Sequence, residues 1–84
     1  MSYLTQLRVR NAEGALERVL GVVRIRGFAV QSMSAQHDLT GQHFDLTLRL
    51  KSDRPIGRLS NQLSKLVDVE SLELFGKLEQ AGVN

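Results

Sequence analysis

His43-Phe44-Asp45-Leu46-Thr47-Leu48-Arg49-Leu50-Lys51 is the stretch on which the rest of the chain is read. Phe44, Leu46, Leu48 and Leu50 alternate with His43, Asp45, Thr47 and Arg49. A period of two sends alternate side chains to opposite faces of a strand, so this strand buries one face and wets the other. Just before it, Asp38-Leu39-Thr40-Gly41 has turn chemistry. Before the turn, Phe28–Ala35 reads as another strand, with small and polar residues on one side. Beyond Lys51, Ser52 or Asp53 is expected to cap a helix that has Pro55 in its first turn. Ile56, Leu59, Leu63 and Leu66 give that helix its apolar stripe, and Val69–Phe75 reads as a last strand.

Working back to the N-terminus, Tyr3, Thr5, Leu7 and Val9 alternate with Leu4, Gln6, Arg8 and Arg10, which predicts a first strand. Asn11-Ala12-Glu13-Gly14 breaks the alternation, and Asn11 is expected to cap a helix. Leu16, Val19, Leu20 and Val23 form the stripe of that helix, and Gly27 ends it as a left-handed C-terminal residue would. The order is strand, helix, strand, strand, helix, strand. Two single-striped helices must share one face of a sheet. The expected class is therefore α+β, a ferredoxin-like βαββαβ fold with a four-stranded antiparallel sheet and both helices on one face. Phe28–Ala35 has few charges to discourage pairing, so a homodimer through this edge strand or the helix beside it is expected.

Bulk properties narrow the function. At 84 residues the chain makes one domain with a modest core, better suited to binding or regulation than to an enclosed catalytic cleft. Cysteine is absent, which excludes a thiolate nucleophile, a disulfide framework and a Cys-based zinc site. No apolar run reaches the roughly 18 residues of a membrane span, and Met1–Thr5 lacks the pattern of a signal peptide, so a cytoplasmic protein with no membrane contact is expected. The net charge is only +2, although arginines recur at positions 8, 10, 18, 24, 26, 49, 54 and 58. His37 and His43, with Asp38 and Asp45 nearby, are the one arrangement resembling a metal or acid–base site, and solvated turn chemistry is the expected reading of them. No phosphate-binding loop or dinucleotide fingerprint occurs. Arg26-Gly27-Phe28-Ala29 matches the start of an RNA-recognition signature, but Val30 and Met33 stand where stacking aromatics belong, so no nucleic-acid partner is expected.

The turn Asn11–Gly14 is the most informative candidate. It leads from a strand into a helix N-terminus, where unpaired backbone N–H groups and the helix dipole favour a carboxylate. Gly14 allows close approach of a ligand to the backbone, while Glu13 opposes an anion or holds an ammonium. An ordinary helix start has the same composition.

Asn11-Ala12-Glu13-Gly14-Ala15-Leu16-Glu17-Arg18-Val19-Leu20-Gly21, then Arg26-Gly27-Phe28 and Ser32, resembles the ACT domain of acetohydroxyacid synthase (acetolactate synthase) small subunits. Gln62-Leu63-Ser64-Lys65-Leu66-Val67-Asp68-Val69 resembles that family's second helix and the entry to its last strand. The resemblance spans about Leu4 to Leu74, with an ACT domain at 1–76, a short tail at 77–84 and no second domain, as in the short isozyme II form. It implies a non-catalytic regulatory subunit that binds and activates a catalytic large subunit in branched-chain amino-acid biosynthesis. Thiamine diphosphate, Mg2+ and FAD would sit on that large subunit, with no cofactor on this chain. An amino-acid-sensing ACT module serving a different enzyme is the alternative.

In valine-sensitive relatives the effector lies between two ACT domains, held by the first turn of one and the start of the second strand of the other. The matching positions here are Asn11, Gly14, Ala15 and Leu16 on one side, and Ala29 and Val30 on the other. Ala29 replaces an asparagine of the valine binders, and an unpaired ligand group costs about 1–3 kcal/mol, roughly 5- to 150-fold in affinity. Weak or absent valine feedback is expected. Arg18, Arg24 and Arg26, on one flank of the first helix, and the exposed sheet face are the candidate contacts for the large subunit.

Overall fold

The computed structural model describes residues 1–77 of the chain. Its elements are β1 (Ser2–Arg10), α1 (Ala15–Ile25), β2 (Ala29–His37), β3 (His43–Lys51), α2 (Gly57–Ser64) and β4 (Val69–Lys77). The strands form one antiparallel sheet in the order β2-β3-β1-β4. The expected α+β, ferredoxin-like βαββαβ arrangement is what the chain adopts.

The period-two strands set the core. Tyr3 pairs with Leu50, Thr5 with Leu48 and Leu7 with Leu46, so the alternating residues of β1 and β3 line one face together. Val19 and Val23 of α1 and Leu59 and Leu63 of α2 close over them. Burying such aliphatic side chains stabilises the fold by about 1.5–3 kcal/mol each before entropy is counted. Thr5 is the polar member of the row, and its hydroxyl donates to the Glu73 carbonyl at 3.0 Å.

Gly27 ends α1 as its position predicts. It takes φ 85°, its N–H bonds the Arg24 carbonyl, and the Phe28 N–H bonds the Val23 carbonyl. These are the two bonds of a Schellman motif. Phe28 then drops into the core beside Tyr3, with ring centroids 6.1 Å apart, instead of beginning the strand.

Two expected helix caps are not formed. α2 starts at Gly57, after Ile56, with no side-chain cap. Ser52 is occupied elsewhere: its hydroxyl donates to the Gly27 carbonyl at 2.9 Å and accepts the Arg54 N–H at 3.0 Å. Asn11 does not cap α1 either; Gly14 holds that position, and the Asn11 amide donates to the Gly41 carbonyl at 2.9 Å. The last strand reaches Lys77, two residues beyond the expected end, and positions 78–84 of the expected tail lie outside the described residues.

Candidate functional site

The β1–α1 turn is held from three sides by backbone bonds. Arg10 N–H bonds the Asp68 carbonyl at 2.7 Å, Asn11 N–H bonds the Gln42 carbonyl at 2.8 Å, and Ala15 N–H bonds the Ala12 carbonyl at 3.1 Å. Gly14 sits at φ 76°, where a side chain would be strained, and an added Cβ would lie 3.1 Å from an Arg18 guanidinium nitrogen. Arg18 folds back over the turn, donating to the Glu13 carbonyl and pairing with the buried carboxylate of Asp68. The turn is thus fixed by its backbone bonds, with a cation laid along it.

Of the six positions matched to the effector site, Asn11 is exposed, Gly14 and Leu16 are half-buried, and Ala15 is fully inside the core. Asn11 lies beside the far end of β2, its amide nitrogen 3.4 Å from His37 Nε2. Ala29 and Val30 begin the same strand. Eight residue steps separate Ala29 from His37, about 26 Å along a strand. Within one chain the two halves of the candidate site are therefore not brought together. β2 is an edge strand, exposed along most of its length, with no Lys, Arg, Asp or Glu in Ala29–His37.

The two histidines do not form a pair. His37 packs against its cross-strand partner Phe44, with ring centroids 4.5 Å apart. His43 points to the opposite face of the sheet, into a charged cluster. Its Nδ1 is 3.3 Å from Asp38, and its buried Nε2 lies 2.8 Å from Glu70 without forming a hydrogen bond. Arg8 joins the cluster, 2.7 Å from Asp38 and 3.2 Å from Asp45. Partial burial, the largest single influence on Asp38, raises its pKa. Hydrogen bonds from Thr40, from the backbone and side chain of His43 and from the Gln42 N–H outweigh it, and the carboxyl falls to about 2. The cluster pins the β2–β3 hairpin onto the open sheet face. Among the described residues no three His, Cys, Asp or Glu side chains converge as a metal site.

The three candidate partner-contact arginines differ. Arg18 is engaged with Asp68, Arg26 donates to Gln62 Oε1 of α2 at 2.6 Å, and Arg24 is exposed in the last turn of α1. The position of Arg18 over Gly14 was not legible in the sequence, because its partner is fifty residues away.

Residues 11–72 match the family model of the ACT domain. The chain is 41% identical over 69 residues to the acetolactate synthase isozyme 2 small subunit of Escherichia coli K12, covering 82% of this chain and 79% of that protein. The acetolactate synthase small subunit of Thermotoga maritima superposes with a TM-score of 0.78 at 25% identity over 95% of this chain, which spans 50% of that longer chain. The ACT domain of a Chlorobium tepidum GTP pyrophosphokinase superposes at 0.76 and 13% identity over 89% of this chain and 97% of that one, a likeness of fold alone. No helix among the described residues is long and apolar enough to cross a membrane. The chain belongs to the ACT domain family and, within it, to the small subunits of acetolactate synthase.

Proposed function

We propose that this chain binds and activates the catalytic large subunit of acetolactate synthase, carries no catalytic group itself, and responds weakly or not at all to valine. The observation that carries the reading is the 41% identity to the isozyme 2 small subunit over most of both chains. Thiamine diphosphate, Mg2+ and FAD belong in this reading to the large subunit in the cytoplasm. An activator must favour the active form of its target, because equal affinity for both forms shifts nothing.

The uncharged edge strand β2 supports a homodimer. Antiparallel pairing of β2 with its copy sets the Asn11–His37 end of one chain against Ala29 and Val30 of the other, which assembles both halves of the effector site twice. The absence of charge on this edge supports the pairing. Ala29 offers an effector no polar side-chain partner, which supports weak feedback.

The test is acetolactate formation from pyruvate by the cognate large subunit, titrated with this chain with and without millimolar valine. A saturable rise in rate, little changed by valine, is expected. A flat titration with an active large subunit overturns the reading in favour of an ACT module serving another enzyme.

A further inference from the structure

At the pole where α1 ends and α2 begins, a cavity of about 290 Å3 is lined by Arg26, Phe28, Arg54, Pro55, Arg58 and Leu59. Its apolar lining comes from core residues, Phe28 and Leu59, with Pro55 at the rim. Its polar rim is three guanidinium groups from two stretches, Arg26 at the end of α1 and Arg54 and Arg58 around the start of α2. Among the described residues no carboxylate lies within ion-pair distance of any of them, whereas Arg8 and Arg18 are both paired. Lys65 and Arg26 border a second hollow that adjoins this one across Arg58, so the positive surface continues along α2.

Two of the three arginines are held by neighbouring residues. Arg54 lies across Gly27, where an added Cβ would come within 2.7 Å of its Nε, and its carbonyl is 3.3 Å from the Tyr3 hydroxyl, which donates to it. Arg26 is anchored on Gln62. Three like charges around an apolar floor repel one another when the site is empty. A carboxylate relieves that repulsion and accepts paired hydrogen bonds from the planar guanidinium forks. The volume takes one side chain and its neighbours, at the lower limit of a small-molecule pocket. An apolar centre with an arginine rim is also the composition of a protein interface anchor.

We propose that this cavity receives an Asp or Glu side chain, carried on an apolar segment of the catalytic subunit, and is the anchor through which the chain holds its partner. This rests on the functional reading above and replaces a diffuse arginine flank with a defined socket.

The experiment compares the wild-type chain with Arg58→Glu and Arg26→Glu in the activation titration at low and high salt. Arg58 is exposed on the first turn of α2, so its reversal leaves the core intact, and a matching thermal melt confirms it. Each reversal is expected to raise the concentration for half-maximal activation at least tenfold at low salt. Arg58→Lys should fall between, keeping the charge without the fork. Leu39→Glu, which places a new negative charge on the exposed β2–β3 turn, should leave activation unchanged. Folded Arg58→Glu and Arg26→Glu chains that activate at wild-type concentrations overturn the socket while leaving the functional reading standing. A wild-type chain that does not activate overturns both. Thermal protection of the isolated wild-type chain by millimolar phosphate, lost in Arg58→Glu, assigns the cavity to a small anion and also overturns the proposal.

Discussion

Arg18 and Asp68 are fifty residues apart in sequence, yet together they fix the turn that opens α1. Arg18 is half exposed while Asp68 is buried, so removing the arginine strands a desolvated carboxylate. Loss of one partner from a fully buried pair costs about 3–5 kcal/mol. Water reaches Arg18, so Arg18→Ala should cost about 1–2 kcal/mol and lower Tm by about 4–8 °C for each kcal/mol. Thermal melts of Arg18→Ala, Asp68→Asn and the double variant test this; strictly additive losses would rule out the coupling. Asp38 gives a second prediction. Its folded-state carboxyl, at about 2, lies below the unfolded value near 4, so the unfolded chain binds the proton first. Its contribution is full above about pH 4 and disappears as pH falls towards about 2. Asp38→Asn should lose that part of the acid sensitivity in urea titrations at pH 2 to 5, and an unaltered pH profile would contradict it. At this scale the sequence showed what is local. Gly27 was legible because a helix end needs only its own neighbours. Asn11 does not cap α1 because the helix begins only after Gly14, three positions on, and the side chain is turned to the Gly41 carbonyl, thirty positions away.

The four strands and two helices were readable because burial repeats with a period that composition alone displays. Their ends were not. Ser52 has the chemistry of a helix cap, but it stitches the β3–α2 connection to the Gly27 carbonyl, and α2 begins five residues later. β2 shows the reverse case: its pattern was weak because it is an edge, with a register shift between Val30 and Ser32 and both faces largely wet. Met33, half exposed on this edge, tests the role proposed for it. Met33→Lys should convert a dimer to a monomer in sedimentation velocity at micromolar concentration, with the far-ultraviolet spectrum unchanged, because a lysine blocks edge pairing. A persistent dimer would place the contact elsewhere.

For the whole molecule, the effector prediction turns on Ala29. Ala29→Asn returns the polar group that valine-binding relatives carry, and should tighten valine binding by roughly 5- to 150-fold in calorimetry. No gain in affinity would show that Ala29 is not what weakens the site. The family and the fold were legible over nearly the whole chain. The arginine cavity was not, because its three arginines gather only when the end of α1 meets the start of α2.

Asn11 lies beside the His37 end of β2 and Ala29 begins it, so neither chain of the proposed dimer would own both halves of the proposed effector site. The arrangement has a genetic reading. Two chains defective at opposite ends of β2, each unable to respond alone, would on mixing regenerate one whole site per mixed dimer, at the cost of a neighbour damaged on both sides. Response to an effector would then be a property shared between two gene copies.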